Sequence, residues 1–368
     1  MDFELPEDTL MLRDMLRRFI HKEAQPLEMK YFTAGFLASE ERLRLHRAVE
    51  QMGLWGLTVP EAYGGGGLDL VSTCVIEEEL GKTFIPVEIG DVPAALYACT
   101  GGQVGDYLEP ALAGERRAVI AAREPDALHP ESWTTVAETG ATGGYLLSGR
   151  KLLSVSPGQQ DFLIVYARAP EGPTAFMLDI GLPGMKLSAN SAVTLALDGL
   201  QAPEQAILGS LGGALTLGVE EAPKAWIRSG ARYVGMVDRL IDMSLEHARD
   251  WISLGEALVV RPAIQRMLAE MRVEVESSRW LTYHAAWLAD SGAGDDLRNP
   301  AAQVRLATGE MLKRAVDRVT MIFAGPGPSP QIEPQRFVRS LAPPEALDLA
   351  LEQARAVILA DMLGPPTS

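Results

Sequence analysis

The chain has 368 residues, 47% of them hydrophobic and 22% charged, enough to bury a large core divided over two or three structural units. Its formal charge of −16 argues against a general nucleic-acid surface, because binding phosphates needs a basic face. Two cysteines, Cys74 and Cys99, are too few for a disulfide scaffold; the acidic, interrupted N-terminus does not read as a signal peptide, and no stretch of about 20 uninterrupted apolar residues predicts a membrane span, so a reduced, cytoplasmic setting is expected.

From Asp8 to about Gly114 the pattern is helical, with Leu10, Leu12, Met15, Leu16 and Phe19 at core spacing and Pro26, Pro60, Pro86 and Pro93 as breaks. Within it, the glycines at 64–67 predict a loop, and residues 71–80 predict a helix with an acidic patch at Glu77, Glu78 and Glu79. No Lys-Ser/Thr follows the glycines, so a phosphate loop is not expected. From Ala118 to about Leu208, short apolar runs at 119–122, 145–147, 162–168, 175–178 and 185–187 alternate with Gly, Pro and polar turns, which predicts a small β domain. From Ala222 onward long amphipathic helices return, carrying Val234, Val237, Leu240, Ile241, Met243 and Leu245, then Met267, Leu268, Met271, Val275 and Trp280. Trp280 and Trp287, seven apart with Tyr283 between, read first as helix packing and second as an acyl-pocket lining. The region around Gly292–Asp296 predicts a helix-joining loop. His21, His46, His129, His247 and His284 form no i,i+4 pair and have no neighbouring cysteine, so no metal site is expected.

The segment from Met52 to Lys82, with its Pro60-Glu61 pair and glycine run, resembles the N-terminal signature of the acyl-CoA dehydrogenase flavoenzymes. Several stretches extend the likeness over nearly the whole chain. Glu124 and Pro125 match the end of a Thr-Glu-Pro segment leading into the β domain, and Gly149 and Lys151 match an Asn-Gly-x-Lys turn. Residues 262–271 are similar to a Gln-x-x-x-x-x-Leu-Ala-Asp-Met helix, and residues 324–327, with Gly325 and Gly327, sit where a Gly-Gly-x-Gly turn is usual. The resemblance implies an α+β fold with an N-terminal α-helical domain (1–117), a middle β-barrel or sandwich domain (118–220) and a C-terminal four-helix bundle (221–368). It also implies FAD, an acyl-CoA substrate, proton removal from Cα by a glutamate, hydride transfer from Cβ to the flavin, and electron-transfer flavoprotein as a possible partner. Hydrogen bonds to the thioester carbonyl acidify Cα, which lets a carboxylate of raised pKa serve as base.

On that resemblance the cofactor-binding candidates are Glu124, Pro125, Ser154, Gly255, Gly325 and Gly327, and the departures fall on the same ligand. Arg123 stands for the flavin-contacting threonine, and the Gly-Ser-Asp expected after Pro125 is absent. Leu153, Ser154 and Val155 replace Trp-Ile-Thr or Trp-Ser-Ser, leaving Ser154 as the hydroxyl available if the register shifts. The Arg-x-Gln-Phe-Gly motif reads Trp251 to Gly255 and keeps only its glycine, with Arg249 nearby on a different helix face; Met321 replaces a glutamine. The usual position of the base offers Leu341 or Ala342, and the alternative position holds Ala225. Glu345 and Asp348 are the nearest carboxylates, Glu345 being the catalytic candidate; its other reading is a first-turn residue favoured by the helix dipole behind Pro343 and Pro344.

Three readings of function follow. In the first, the chain is a subunit of a heteromeric α2β2 acyl-CoA dehydrogenase in which a second subunit of the same fold supplies the base and most flavin contacts, a pattern similar to the degenerate subunit of bacterial steroid-type enzymes. In the second, a binding or scaffold protein keeps the fold without redox chemistry. A self-sufficient dehydrogenase using Glu345 or Asp348 is a third.

Overall fold

A computed structural model of the chain describes residues 4–34, 37–125, 127, 132–140, 143–153, 161–189, 193–218, 221–292, 296–323 and 344–364, with the backbone alone for 32, 189 and 344–350. The chain forms two compact units, one from Met1–Pro60, Gly67–Ile89 and Ala222–Ser368, the other from Glu61–Gly66 and Gly90–Glu221. Among the described residues no helix is long and apolar enough to cross a membrane.

The first unit begins with α1 (Glu7–Phe19), α2 (Glu28–Ala34), α3 (Ser39–Gln51) and α4 (Leu70–Leu80). Acidic Glu7 and Asp8 open α1 and basic Arg17 and Arg18 close it, each sign matched to the helix dipole. Leu16 and Phe19 are buried with Leu45, Val49, Ile76 and Leu80. Helix α4 starts at Asp69, whose carboxylate accepts from Ser72 N at 2.7 Å, while Asp290 accepts from Leu70 N and Val71 N at 2.8 and 2.9 Å. Three first-turn amides are thereby satisfied.

The expected acidic patch on α4 is corrected: Glu77, Glu78 and Glu79 are all buried. Nearly every side of α4 is covered, so the sequence has no polar stripe to mark a face. Each carboxylate meets a different element. Glu77 accepts from Arg228 at 2.7 Å and Arg232 at 2.8 Å; Glu78 accepts from Arg279 at 2.9 Å and the Tyr283 hydroxyl at 3.0 Å; Glu79 accepts from Arg17 at 2.6 Å and Lys82 at 3.0 Å. Burial works against the charge of Glu77, but the two guanidinium groups outweigh it and hold its carboxyl below the usual range.

The second unit carries a short helix, α5 (Glu109–Leu112), and one mixed eight-stranded sheet. Its strands are β1 (Ala118–Ala121), β2 (Val136–Thr139), β3 (Tyr145–Leu153), β4 (Phe162–Ala169), β5 (Gly172–Asp179), β6 (Met185–Ala189), β7 (Val193–Ala202) and β8 (Ile207–Leu208). They run in the order β6-β7-β3-β2-β4-β5-β8, with β1 parallel beside β4. Strand β4 is buried on both faces, as its unbroken apolar run requires. Leu163 and Val165 join Leu147, Phe176 and Leu195 on one side; Phe162, Ile164 and Tyr166 join Leu96, Leu108 and Trp133 on the other.

The first unit resumes with α6 (Ala222–Asp250), a two-stranded hairpin of β9 (Ile252–Ser253) and β10 (Glu256–Ala257), then α7 (Pro262–Ser291), α8 (Arg298–Phe323) and α9 (Pro344–Leu363). Proline opens α7 and Gly292, in the left-handed region, ends it. Val234, Val237, Leu240, Met271, Val275, Met311, Leu312, Val319 and Leu351 form the core of these helices. Helix α6 meets α4 backbone to backbone, for a Cβ placed on Gly235 would lie 1.8 Å from the Glu78 carbonyl oxygen. The packing expected of Trp280 and Trp287 is also corrected, since both indoles are about half exposed on the outer face of α7 while Tyr283 turns inward to Glu78.

Candidate functional site

Strands β1 and β3 bring two of the singled-out positions together. Arg123 pairs with Leu152 in an antiparallel bridge, its carbonyl accepting from Leu152 N at 2.8 Å, which sets Glu124 beside the end of β3. The Glu124 carboxylate accepts from Lys151 Nζ at 2.8 Å, Thr134 N at 2.7 Å, Thr134 Oγ1 at 2.8 Å and Thr135 N at 3.0 Å. Lys151 is fully buried, also donates to the Ala122 carbonyl at 3.2 Å, and stands 4.3 Å above the Trp133 ring. Burial pushes the Glu124 carboxyl upward, but Lys151 and the threonine donors overcome it and lower the pKa to about 2. Lys151 is held below its usual range because its burial outweighs its one carboxylate partner. The Glu124 carboxylate is ionised at neutral pH.

Gly149 belongs to the same construction. A β-bulge separates Leu147 from Gly149, and a Cβ on Gly149, at φ 149°, would sit 2.5 Å from Thr135 Cα. Only a residue lacking that atom lets the Glu124-bound threonines approach β3. The sequence marks Glu124, Gly149 and Lys151 but gives no sign of Trp133, Thr134 and Thr135, which complete the arrangement from an adjoining segment.

With four donors on its carboxylate, Glu124 has its side chain committed inside the protein and fixes the backbone of residues 123–125. Pro125 is exposed there. Arg123 Nε is buried without a hydrogen-bond partner. Ser154, Gly325 and Gly327 lie outside the described residues.

Gly255 and Glu345 belong to the first unit. Trp251 O accepts from Leu258 N at 2.9 Å and closes the β9-β10 hairpin, whose two-residue turn places Leu254 at φ 54° and Gly255 at φ 83°. Gly255 serves this turn; Leu254, an unusual residue for the left-handed region, is 93% exposed. The hairpin segment itself carries no cation. Arg261 braces it from outside, donating to the Ser253 carbonyl at 3.0 Å and lying 3.6 Å from Glu256. Met321 is exposed, and Ala225 lies exposed in the first turn of α6. Glu345 lies in the first turn of α9. Elsewhere in the second unit a groove of about 900 Å³ is lined by Gln103, Asp106, Tyr107, Tyr145, Asp179 and Leu211 among others, and includes none of the sequence candidates.

These donors suit a flavin on the sheet: a buried guanidinium N–H lacking an acceptor lies next to a backbone pinned by a buried ion pair. At the hairpin the donor set does not suit the anionic end of such a cofactor, because the turn presents an apolar tip.

Comparison with known proteins agrees with the fold. Residues 6–115 match the family model described as acyl-CoA dehydrogenase, N-terminal domain, and residues 227–360 match acyl-CoA dehydrogenase, C-terminal domain. The chain is 30% identical over 360 residues to (R)-benzylsuccinyl-CoA dehydrogenase of Thauera aromatica, covering 89% of this chain and 88% of that one. It is 25% identical over 381 residues to an acyl-CoA dehydrogenase of Bacillus subtilis (strain 168), covering 97% and 98%. In fold it is similar to a putative acyl-CoA dehydrogenase from Mycobacterium abscessus, with a TM-score of 0.87 at 19% identity, over 98% of this chain and 99% of that one. The chain therefore belongs to the acyl-CoA dehydrogenase family, FAD-dependent oxidoreductases of acyl-CoA thioesters.

Proposed function

We propose that this chain is the supporting half of a two-chain acyl-CoA dehydrogenase assembled as α2β2, in which an unlike subunit of the same fold supplies the carboxylate base and most flavin contacts. The hairpin carries this reading: where a flavin-binding arginine is expected, the segment from Trp251 to Ala257 holds no cation and turns through an exposed leucine. FAD, shared between unlike chains, supplies the electron acceptor for α,β-dehydrogenation. On this reading the sheet-side contribution comes from Arg123 and the backbone of Glu124 and Pro125, with Ser154, Gly325 and Gly327 as further contacts, while Gly255 serves its turn alone. Electron-transfer flavoprotein is the electron acceptor in turn, and the setting is cytoplasmic. The substrate is a bulky CoA thioester of the steroid type, and similarity to a benzylsuccinyl-CoA dehydrogenase supports a ring-bearing acyl group.

The test is the flavin absorbance per chain, measured for the chain alone and after co-expression with an unlike dehydrogenase-like chain from the same genome. A colourless lone chain and a yellow mixed tetramer are expected. About one FAD per lone chain would overturn the two-chain reading and make Glu345→Gln the next variant, while a colourless result in both preparations would favour a scaffold.

A further inference from the structure

Strand β5 loses its outer partner before it ends. Its register with β8 covers only Ala175 with Leu208 and Phe176 with Ile207, yet β5 continues to Asp179. Ile180 N donates to Asp161 O at 3.2 Å on the β4 side, so by the alternation of an antiparallel ladder the backbone of Asp179 points the other way, past the end of β8. Beside β8 itself the edge is capped: Gln103 Nε2 donates to the carbonyls of Gln205 and Ile207 at 2.9 and 2.7 Å, in the place of a further strand. At Asp179 the edge opens instead onto the groove of about 900 Å³, a size within the range of ligand-binding clefts.

The charges of this groove have one sign. Asp106, Asp179 and Glu204 line it, all three exposed, and no Lys, Arg or His does. Arg116 pairs with Asp179, but the Asp106 and Glu204 carboxylates have no such partner among the described residues. Two tyrosines on the wall feel the acids: burial and then Asp179 push the Tyr107 hydroxyl up, and burial and then Glu171 and Glu204 push that of Tyr145 up. Leu182, Ile207 and Leu211 add apolar surface, Leu211 being 39% exposed. We infer that the groove takes an extended, lysine- or arginine-bearing segment of a partner protein, which adds a strand to β5 at Asp179 and sets its cations against Asp106 and Glu204.

The occupant follows from edge and charge together. Main-chain pairing gives such a segment affinity, and its alternate side chains reach the groove for specificity. A second copy of this chain, at net charge −16, is repelled by the acidic lining, whereas a small polyamine satisfies the carboxylates and leaves the strand edge unpaired. The inference goes beyond the flavin reading and does not depend on it. Asp179 and Ala118 flank Phe162 at the start of β1, whereas Arg123 follows the end of that strand.

The test titrates the purified full chain with a short blocked peptide alternating valine and lysine, read by calorimetry, and maps amide hydrogen exchange with and without it. Saturable binding at one peptide per chain is expected, weakening with salt, with exchange slowed in the segment that holds Asp179. Asp106→Asn/Glu204→Gln should weaken binding at least about 10-fold, and Leu211→Lys, which puts a cation in the groove, should do the same, with each fold checked by circular dichroism. The same peptide with every amide N-methylated keeps its charge and should not bind, because it cannot pair with a strand edge. Absence of binding up to about 1 mM peptide, equal binding of the methylated peptide or of spermine, or slowed exchange only in other segments would each overturn the inference. If the variants do not fold, the methylated peptide and the exchange map decide on the wild-type chain.

Discussion

Both units bury carboxylates, and they neutralise them by different means. In the helical unit, the arginines serving α4 approach from the periphery, with side chains 15 to 42% exposed, so water still solvates part of each cation. In the sheet unit, Lys151 and Glu124 are sealed together at 0% and 2%. Half-solvated pairs tie helices together at moderate desolvation cost, whereas a sealed pair gains its Coulomb attraction only by giving up hydration of both ions. The sealed pair is thus a poor device for stability and a good one for fixing geometry. It pins the backbone of residues 123–125 to β3 and to the threonines at 134 and 135, at the position proposed for the flavin.

The contrast can be broken most severely at Gly235. Gly235→Val puts a branched side chain where the Glu78 carbonyl already stands, and it should cost more than about 4 kcal/mol or prevent folding, read by denaturant unfolding. Removing the cation from the sealed pair comes next. Lys151→Met should destabilise by about 3–5 kcal/mol because it strands a buried carboxylate, and adding Glu124→Gln should recover much of the loss. A loss in the double variant equal to that in the single would remove the distinction drawn between the two units.

The pair also sets a pH window. The Glu124 carboxyl falls from an ordinary 4.5 to about 2 in the folded chain, so its contribution is complete above pH 4.5 and is lost as the pH drops from there toward 2. The shift corresponds to about 3 kcal/mol, and the burial of Lys151 reduces the net worth of the pair below that. Stability followed by fluorescence of Trp133, with the other tryptophans replaced by phenylalanine, should decline over this window, and Glu124→Gln should flatten the decline. The smallest effect is expected in the helical unit, where Glu77→Gln keeps one acceptor for Arg228 and Arg232. Their exposed portions retain water, so the loss should be about 1–2 kcal/mol by denaturant midpoint.

The sequence displays some of this organisation directly. The apolar spacing in α1 and α6, the cap at Asp69 and the unbroken run of β4 are local signals, and the elements form where those signals stand. Strands β2 and β7 are not among the apolar runs, β2 being four residues long and half polar, and β7 carrying Asp198 and Gly199 within it. The glutamates of α4 read as an exposed patch because their neutralising partners lie far away in sequence, Arg228 at 151 residues from Glu77 and Arg279 at 201 from Glu78. Likewise, resemblance finds Glu124 and Lys151 separately, but their bond depends on the bulge at Gly149 and on a threonine pair with no motif of its own. At Gly255 the residue is legible, and its use in a turn with an exposed leucine is legible only in three dimensions.

The contact between α4 and α6 carries a consequence for synthesis. Glu77 emerges from the ribosome 151 residues ahead of Arg228, and Glu78 emerges 201 residues ahead of Arg279. At translation rates of roughly 5–20 residues per second, the interval lasts on the order of 10–40 seconds. During it, Glu79 of the nascent α4 already has Arg17 of α1, but Glu77 and Glu78 have no helix against which to be placed, while residues 90–221 complete their sheet from local material. The order of folding is therefore inverted relative to the order of the chain, and the solubility of the waiting N-terminal segment rests on the same acidic residues that later become its buried anchors.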